Sequence, residues 1–123
     1  MELKTRPEPC IVIIFGASGD LTSRKLMPAL HNLRHDDLIP PATSVVGISR
    51  TQYGDEDFRN EMRSALQEHS RITPTQTSWK RFAKDLFYVP GDFTGTDLWP
   101  GLKQKLDEID AAAGTKGNRV WYL

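Results

Sequence analysis

The chain has 123 residues, room for one domain with a single well-buried core. Its 16 basic and 16 acidic residues cancel, which excludes a global field that would draw it to nucleic acid or an anionic membrane. No apolar run is long enough to span a bilayer, Met1 to Pro7 lacks the apolar segment of a signal peptide, and the lone Cys10 excludes an internal disulfide. A reduced, cytoplasmic setting fits this composition, with Cys10 an inert packed residue.

Residues 1–9, with Pro7 and Pro9, read as an extended lead-in. Cys10 to Phe15 is an apolar run of strand length, released into Gly16-Ala17-Ser18-Gly19-Asp20-Leu21. Such a handover from buried strand to helix aims unpaired N–H groups and the positive end of the helix dipole at one spot. A phosphate fits there. Leu26, Leu30 and Leu33 then recur at helical spacing, interrupted by Pro28. Either the helix kinks at the proline, or a second helix starts with Pro28 near its N-terminus.

Ile39 to Thr43 is a rigid connector, and Ser44 to Ser49 reads as a strand buried on both faces. Tyr53 to Asp57 is a loop entering a helix that gathers Phe58, Met62, Ala65 and Leu66 on one face. Glu56, Asp57 and Glu61 favour its N-terminal end. Ile72 to Thr75 breaks that helix, and Trp79, Phe82, Ala83 and Leu86 predict a shorter one from about Thr77. Leu86 to Val89 is a third strand, stopped by Pro90-Gly91-Asp92. Leu98, Leu102, Leu106 and Ile109 predict a helix over 97–112, and Arg119 to Leu123 starts a fourth strand. Trp79, Trp99 and Trp121 read as core or near-core residues. The alternation predicts an α/β fold, a doubly wound parallel sheet with right-handed crossovers. Because the sequence stops in or just after strand four, it is expected to be part of a longer protein.

Against the pattern G-x-G-x-x-G, Ser18 takes the place of the second glycine and Leu21 that of the third. Gly16 would make the tight turn, and Gly19 would let the backbone approach a pyrophosphate. The Ser18 hydroxyl can donate to a phosphate oxygen, whereas Asp20 is expected to cap the following N–H groups. A turn that uses glycine for geometry alone is the alternative. After the second strand, Ser49-Arg50-Thr51 stands where an acidic residue would hold the ribose hydroxyls of NAD. The Arg50 guanidinium suits the 2′-phosphate of NADP instead. Arg24 and Lys25 are either a solvated face or, for Lys25, an amine reaching a second anion. His31 and His35, with Asp36 and Asp37 nearby, lack a third fixed ligand, so no metal is expected, and His69 receives no role.

These residues together resemble the N-terminal coenzyme domain of the glucose-6-phosphate dehydrogenase family. Gly16 to Leu30 looks like its G-A-S-G-D-L-x-x-R-K-L-x-P-A-L signature, Pro28 included. Val46 to Thr51, Tyr88 to Phe93 and Asn118 to Leu123 are similar to its second, third and fourth strand segments. The resemblance implies a Rossmann-like NADP-binding domain over 1–123. It also implies an enzyme that oxidises glucose 6-phosphate to 6-phosphogluconolactone, moving the C1 hydride to NADP in the oxidative pentose phosphate pathway. By the same resemblance Gly16, Ala17, Ser18, Gly19, Asp20 and Leu21 line the coenzyme turn. Arg50 holds the 2′-phosphate, and Lys25 is a substrate-binding residue at the coenzyme–substrate junction.

The family's general base is a histidine oriented by a carboxylate in a larger β+α domain that also holds an R-I-D-H-Y-L-G-K-E motif. No such segment occurs in 1–123, and His31, His35 and His69 do not match those positions. This stretch alone is therefore expected to hold NADP without turning over, and the full-length protein to form homo-oligomers. The competing reading is a stand-alone nucleotide-binding or interaction module without chemistry. A short-chain reductase is disfavoured, since the third glycine and a Tyr-x-x-x-Lys pair are missing.

Overall fold

The computed structural model describes residues 9–123 except Ser18, Asp37, 40–42, 92–97, Lys116 and Leu123. Four parallel strands, β1 (Ile11–Phe15), β2 (Ser44–Ser49), β3 (Leu86–Pro90) and β4 (Arg119–Tyr122), form one sheet in the order β3-β2-β1-β4. β1 pairs with β2 from Ile11–Ser44 to Phe15–Ile48, and with β4 from Ile11–Arg119 to Ile14–Tyr122. The chain thus adds β2 and β3 on one side of β1 and then crosses to add β4 on the other. That reversal is a topological switch point, and in open α/β sheets ligands bind at the carboxyl ends of the strands beside it.

Side chains alternate across the sheet, so β1, β2 and β3 each feed two cores, while β4 stays largely exposed. On one face Ile14, Val45, Leu86 and Tyr88 pack against three helices: α1 (Met27–His35), α2 (Asp55–His69) and α3 (Gln76–Ala83). Met27, Phe58, Met62, Leu66, Trp79 and Phe82 are their contributions. On the other face Ile11, Ile13, Val46, Ile48 and Val89 meet Leu98, Leu102, Leu106 and Ile109 of α4 (Leu98–Ala113). The expected α/β doubly wound sheet is the one observed.

Pro28 is accommodated by a device that periodicity does not reveal. A π-helical turn, Thr22–Leu26, precedes α1, and the Met27 N–H donates to the Thr22 carbonyl five residues back. Pro28 then occupies the first turn of α1, where its missing N–H costs little. The buried face of α1 is correspondingly displaced from the leucine stripe. Met27, Pro28 and His31 are buried, Leu26 and Leu30 are half-buried, and Leu33 is exposed.

Other elements start where their capping chemistry allows. The Asp57 carboxylate accepts the Gly54 N–H at the start of α2, and Thr75 and Ser78 cap α3 reciprocally. β3 is an edge strand, and α2 satisfies part of that edge. Asp55 Oδ1 accepts the Tyr88 N–H at 2.7 Å, and Arg59 Nε donates to the Leu86 carbonyl at 2.9 Å. These two side chains, four apart on α2, stand in for a neighbouring strand. Pro90, expected only to stop β3, is its last paired residue, opposite Ser49. Trp79 is in the core as expected, but Trp99 and Trp121 are 45% and 49% exposed. They flank Phe15, with Trp121 stacked on it at 6.3 Å, where α4 leaves the β4 side of the sheet incompletely covered. Cys10 is half-buried, and burial raises its thiol pKa, which disfavours the nucleophilic thiolate.

Candidate functional site

The site is built at the carboxyl end of β1. Gly16 takes φ +78°, a left-handed conformation that a Cβ would strain, and so turns the chain out of the strand. The N–H groups of Gly16 and Ala17 both donate to the Ile48 carbonyl, at 2.8 and 3.0 Å. The Gly19 N–H returns to the Gly16 carbonyl at 2.9 Å, and Thr22 Oγ1 donates to the same oxygen at 3.3 Å. The turn is therefore closed on itself and tied to the last residues of β2. Those three N–H groups already have partners, so donors for an anion come from the opening residues of the following helix.

The turn's residues divide by exposure. Gly16, Gly19, Asp20 and Leu21 face solvent. Ala17 is fully buried against Gly47 and Phe58, so its side chain supports the turn from beneath. A Cβ on Gly19 would stand 3.1 Å from the Gly16 carbonyl oxygen, which accounts for glycine there by close approach. Ser18 lies outside the described residues. Asp20 does not cap the helix through its side chain. Its carboxylate pairs with Arg24 Nε at 2.9 Å, and the Ser23 hydroxyl donates to its carbonyl. Arg24 is thereby drawn to Asp20, and Lys25 is the exposed cation of the π-helical turn without an ion-pair partner among the described residues.

Arg50 sits at the bend that follows β2, exposed, two residues after the Ile48 carbonyl that anchors the glycine turn. The parallel β1–β2 pairing therefore brings Arg50 and the turn to the same edge of the sheet. Tyr88 of β3 completes this corner, and nothing local in the sequence announced it. Its hydroxyl lies 2.7 Å from the Thr51 carbonyl and 3.1 Å from that of Ser49, and it also meets Ser49 Oγ. The Tyr53 ring packs edge-on against Tyr88 at 4.5 Å, and Phe58 lies at 5.3 Å. Burial raises the Tyr88 pKa, so its hydroxyl stays protonated near neutrality. The Tyr53 pKa is raised as well, by burial first and then by Glu61, to which its hydroxyl donates.

The histidines are elsewhere. Helices in β-α-β crossovers run back against the strands, so their C-terminal ends lie at the opposite, amino edge of the sheet. From Asp20 to His35 the helix path is about 20 Å. His31 is buried, with Nδ1 3.3 Å from the Ser70 hydroxyl and its ring edge-on to Phe82. Burial lowers its pKa, so it is a neutral core histidine. Among the described residues no group of three or more His, Cys, Asp and Glu is placed to hold a metal ion. No helix formed by the described residues is long and apolar enough to cross a membrane.

Comparison with known proteins converges on one family. The family model described as glucose-6-phosphate dehydrogenase, NAD binding domain, matches residues 13–123. Glucose-6-phosphate 1-dehydrogenase 2 of Mycobacterium tuberculosis is 40% identical over 115 residues, covering 94% of this chain and 22% of that protein. Glucose-6-phosphate 1-dehydrogenase of Chlamydia pneumoniae is 39% identical over the same fractions. A solved structure of glucose-6-phosphate dehydrogenase in complex with its substrate glucose-6-phosphate superposes with a TM-score of 0.82. It is 26% identical and covers 99% of this chain and 25% of that one. The chain spans 22% of the length of these curated relatives. It belongs to the glucose-6-phosphate dehydrogenase family, in the part that forms the NAD-binding domain.

Proposed function

We propose that this chain is the NADP-binding portion of a glucose-6-phosphate dehydrogenase. In the complete enzyme it would present the nicotinamide to C1 of glucose 6-phosphate and receive the hydride. The observation that carries this reading is the shared Ile48 carbonyl. By accepting both Gly16 and Ala17 N–H groups, it fixes the glycine turn beside the bend bearing Arg50. A dinucleotide whose pyrophosphate lies over the turn and the helix start then has its adenosine ribose directed toward Arg50. A guanidinium in that position attracts a 2′-phosphate and offers nothing special to a bare 2′-hydroxyl.

Gly16 and Gly19 allow the close approach, Asp20 and Leu21 open the helix whose N-terminus faces the pyrophosphate, and Ser18 adds a hydroxyl. Ala17 contributes by packing under the turn. Lys25, one turn further on, is assigned to the sugar phosphate or the reacting hydroxyl at the junction with the coenzyme. The general base would come from outside these residues, because all three histidines lie away from the turn. A cytoplasmic location and homo-oligomeric assembly of the complete enzyme belong to the same reading. Calorimetric titration tests it: NADP binds more tightly than NAD, and Arg50→Ala abolishes most of the difference. Equal affinities in the unaltered protein would overturn the Arg50 assignment.

A further inference from the structure

We propose that Tyr88 is a positioning residue for coenzyme selectivity, acting through a closed ring of hydrogen bonds around Arg50. This rests on the assignment of Arg50 to the 2′-phosphate. Three residues make the ring: Ser49 at the end of β2, Thr51 just beyond it and Tyr88 of β3. The Thr51 N–H donates to Ser49 Oγ at 3.3 Å. The Ser49 carbonyl already accepts the Gly91 N–H at 2.8 Å, so the nearer acceptor for the Tyr88 proton is the Thr51 carbonyl, at 2.7 Å. With the Tyr88 proton committed there, its lone pairs accept the Ser49 hydroxyl proton. The circuit runs Thr51 N–H to Ser49 Oγ–H to Tyr88 Oη–H to the Thr51 carbonyl, and every proton has one acceptor.

Arg50 lies in the short loop that the Thr51 N–H to Ser49 Oγ bond closes, between the two residues this circuit holds. Fixing the backbone groups of Ser49 and Thr51 fixes the φ and ψ of Arg50 and with them the direction in which its side chain leaves the bend. The ring is itself held rigidly. Tyr88 is 3% exposed, wedged by Tyr53 and Phe58, and its own N–H is bonded to Asp55. A guanidinium on an ordered bend loses less freedom on meeting a phosphate than one on a loose loop, and preorganisation of that kind raises affinity. The effect falls on the ligand that engages Arg50, so it discriminates NADP from NAD.

The test is calorimetric binding of NADP and NAD to the full chain, its Tyr88→Phe and Ser49→Ala variants, Arg50→Ala, and Arg50→Ala combined with Tyr88→Phe. Tyr88→Phe keeps the ring packing and removes the hydroxyl, and Ser49→Ala opens the circuit from the other strand should the first variant fold poorly. Each is expected to lower the NADP-to-NAD preference about fivefold, the scale of one hydrogen bond, with NAD affinity nearly unchanged. In the Arg50→Ala background Tyr88→Phe is expected to change the ratio no further. Equal weakening of both coenzymes would show a merely structural role and overturn the proposal. An unchanged ratio in both hydroxyl variants, with Arg50→Ala still effective, would overturn it while leaving the coenzyme assignment standing. An Arg50→Ala variant that keeps full preference would overturn both.

Discussion

Gly47 of β2 lies directly against Ala17 of the glycine turn. A Cβ added at 47 would come within 2.6 Å of the Ala17 Cβ and 2.7 Å of the Phe58 ring. Sheet, turn and α2 therefore meet at a point with no spare volume. Gly47→Ala must push the turn outward or displace the Phe58 ring. Overpacking of this kind costs about 1–3 kcal/mol. Chemical denaturation should show that loss, and NADP affinity should fall with it, because the turn is one of the two parts able to move.

Acid sensitivity should concentrate at the turn before β4. Asp110 receives a two-pronged Arg119 guanidinium at 2.7 and 3.0 Å, the Thr115 hydroxyl and the Gly117 N–H. The Arg119 hydrogen bonds, followed by that of Thr115, hold its carboxyl well below the ordinary value of 3.8. The folded-state pKa is thus lower than the unfolded one, so the unfolded chain binds the proton more readily. This contribution is fully present above about pH 5 and is lost as pH falls through 3.8 toward the folded value. Asp110→Asn should be less stable at pH 7 and should show a flatter decline of stability from pH 5 downward. An unchanged slope would remove Asp110 from the account.

The side-chain cover of the β3 edge gives a third test. Asp55→Ala strips the acceptor from the buried Tyr88 N–H and the partner from Lys105, which lies 3.1 Å away. An orphaned buried donor costs about 1–3 kcal/mol. Glu56→Ala, one residue on and exposed, should cost well under 1 kcal/mol by comparison. Similar denaturation midpoints for the two variants would contradict the assigned role of Asp55.

Residues 1–123 alone should give no glucose-6-phosphate-dependent NADPH. Removing the C1 hydroxyl proton needs a positioned base. The three histidines lie on or at the C-terminal ends of α1 and α2, far from the turn, and His31 is enclosed by Ser70 and Phe82. Turnover detectable above a heat-treated control would require a base that this account does not contain.

What was legible in the sequence follows the range of the forces involved. β2 and α4 are set by unbroken apolar patterns, and the structure bounds them within a residue of expectation, whereas α2 opens at Asp55, inside the stretch 53–57 expected to be loop. The glycine turn was equally plain, because backbone geometry at Gly16 is a local demand. Asp20 was misread as a cap because Arg24, four residues on, competes for its carboxylate. The stripe of Leu26, Leu30 and Leu33 was displaced because the π-helical turn before Pro28 breaks the helical period. Tyr88 and Asp55 were invisible as partners of the Arg50 corner and of the sheet edge. Their contacts span 37 to 39 and 33 residues and exist only once β2, β3 and α2 are assembled.

Amide chemical-shift mapping of the labelled chain on addition of NADP tests directly whether the glycine turn and the Arg50 bend hold the coenzyme. The largest changes are expected on the carboxyl edge of the sheet, from Gly16 to Leu21 and around Arg50 and Thr51, with the amino edge near His31, Arg34 and Arg81 unmoved. Saturable changes confined to the amino edge, or none at the turn at coenzyme concentrations that bind, would contradict that placement.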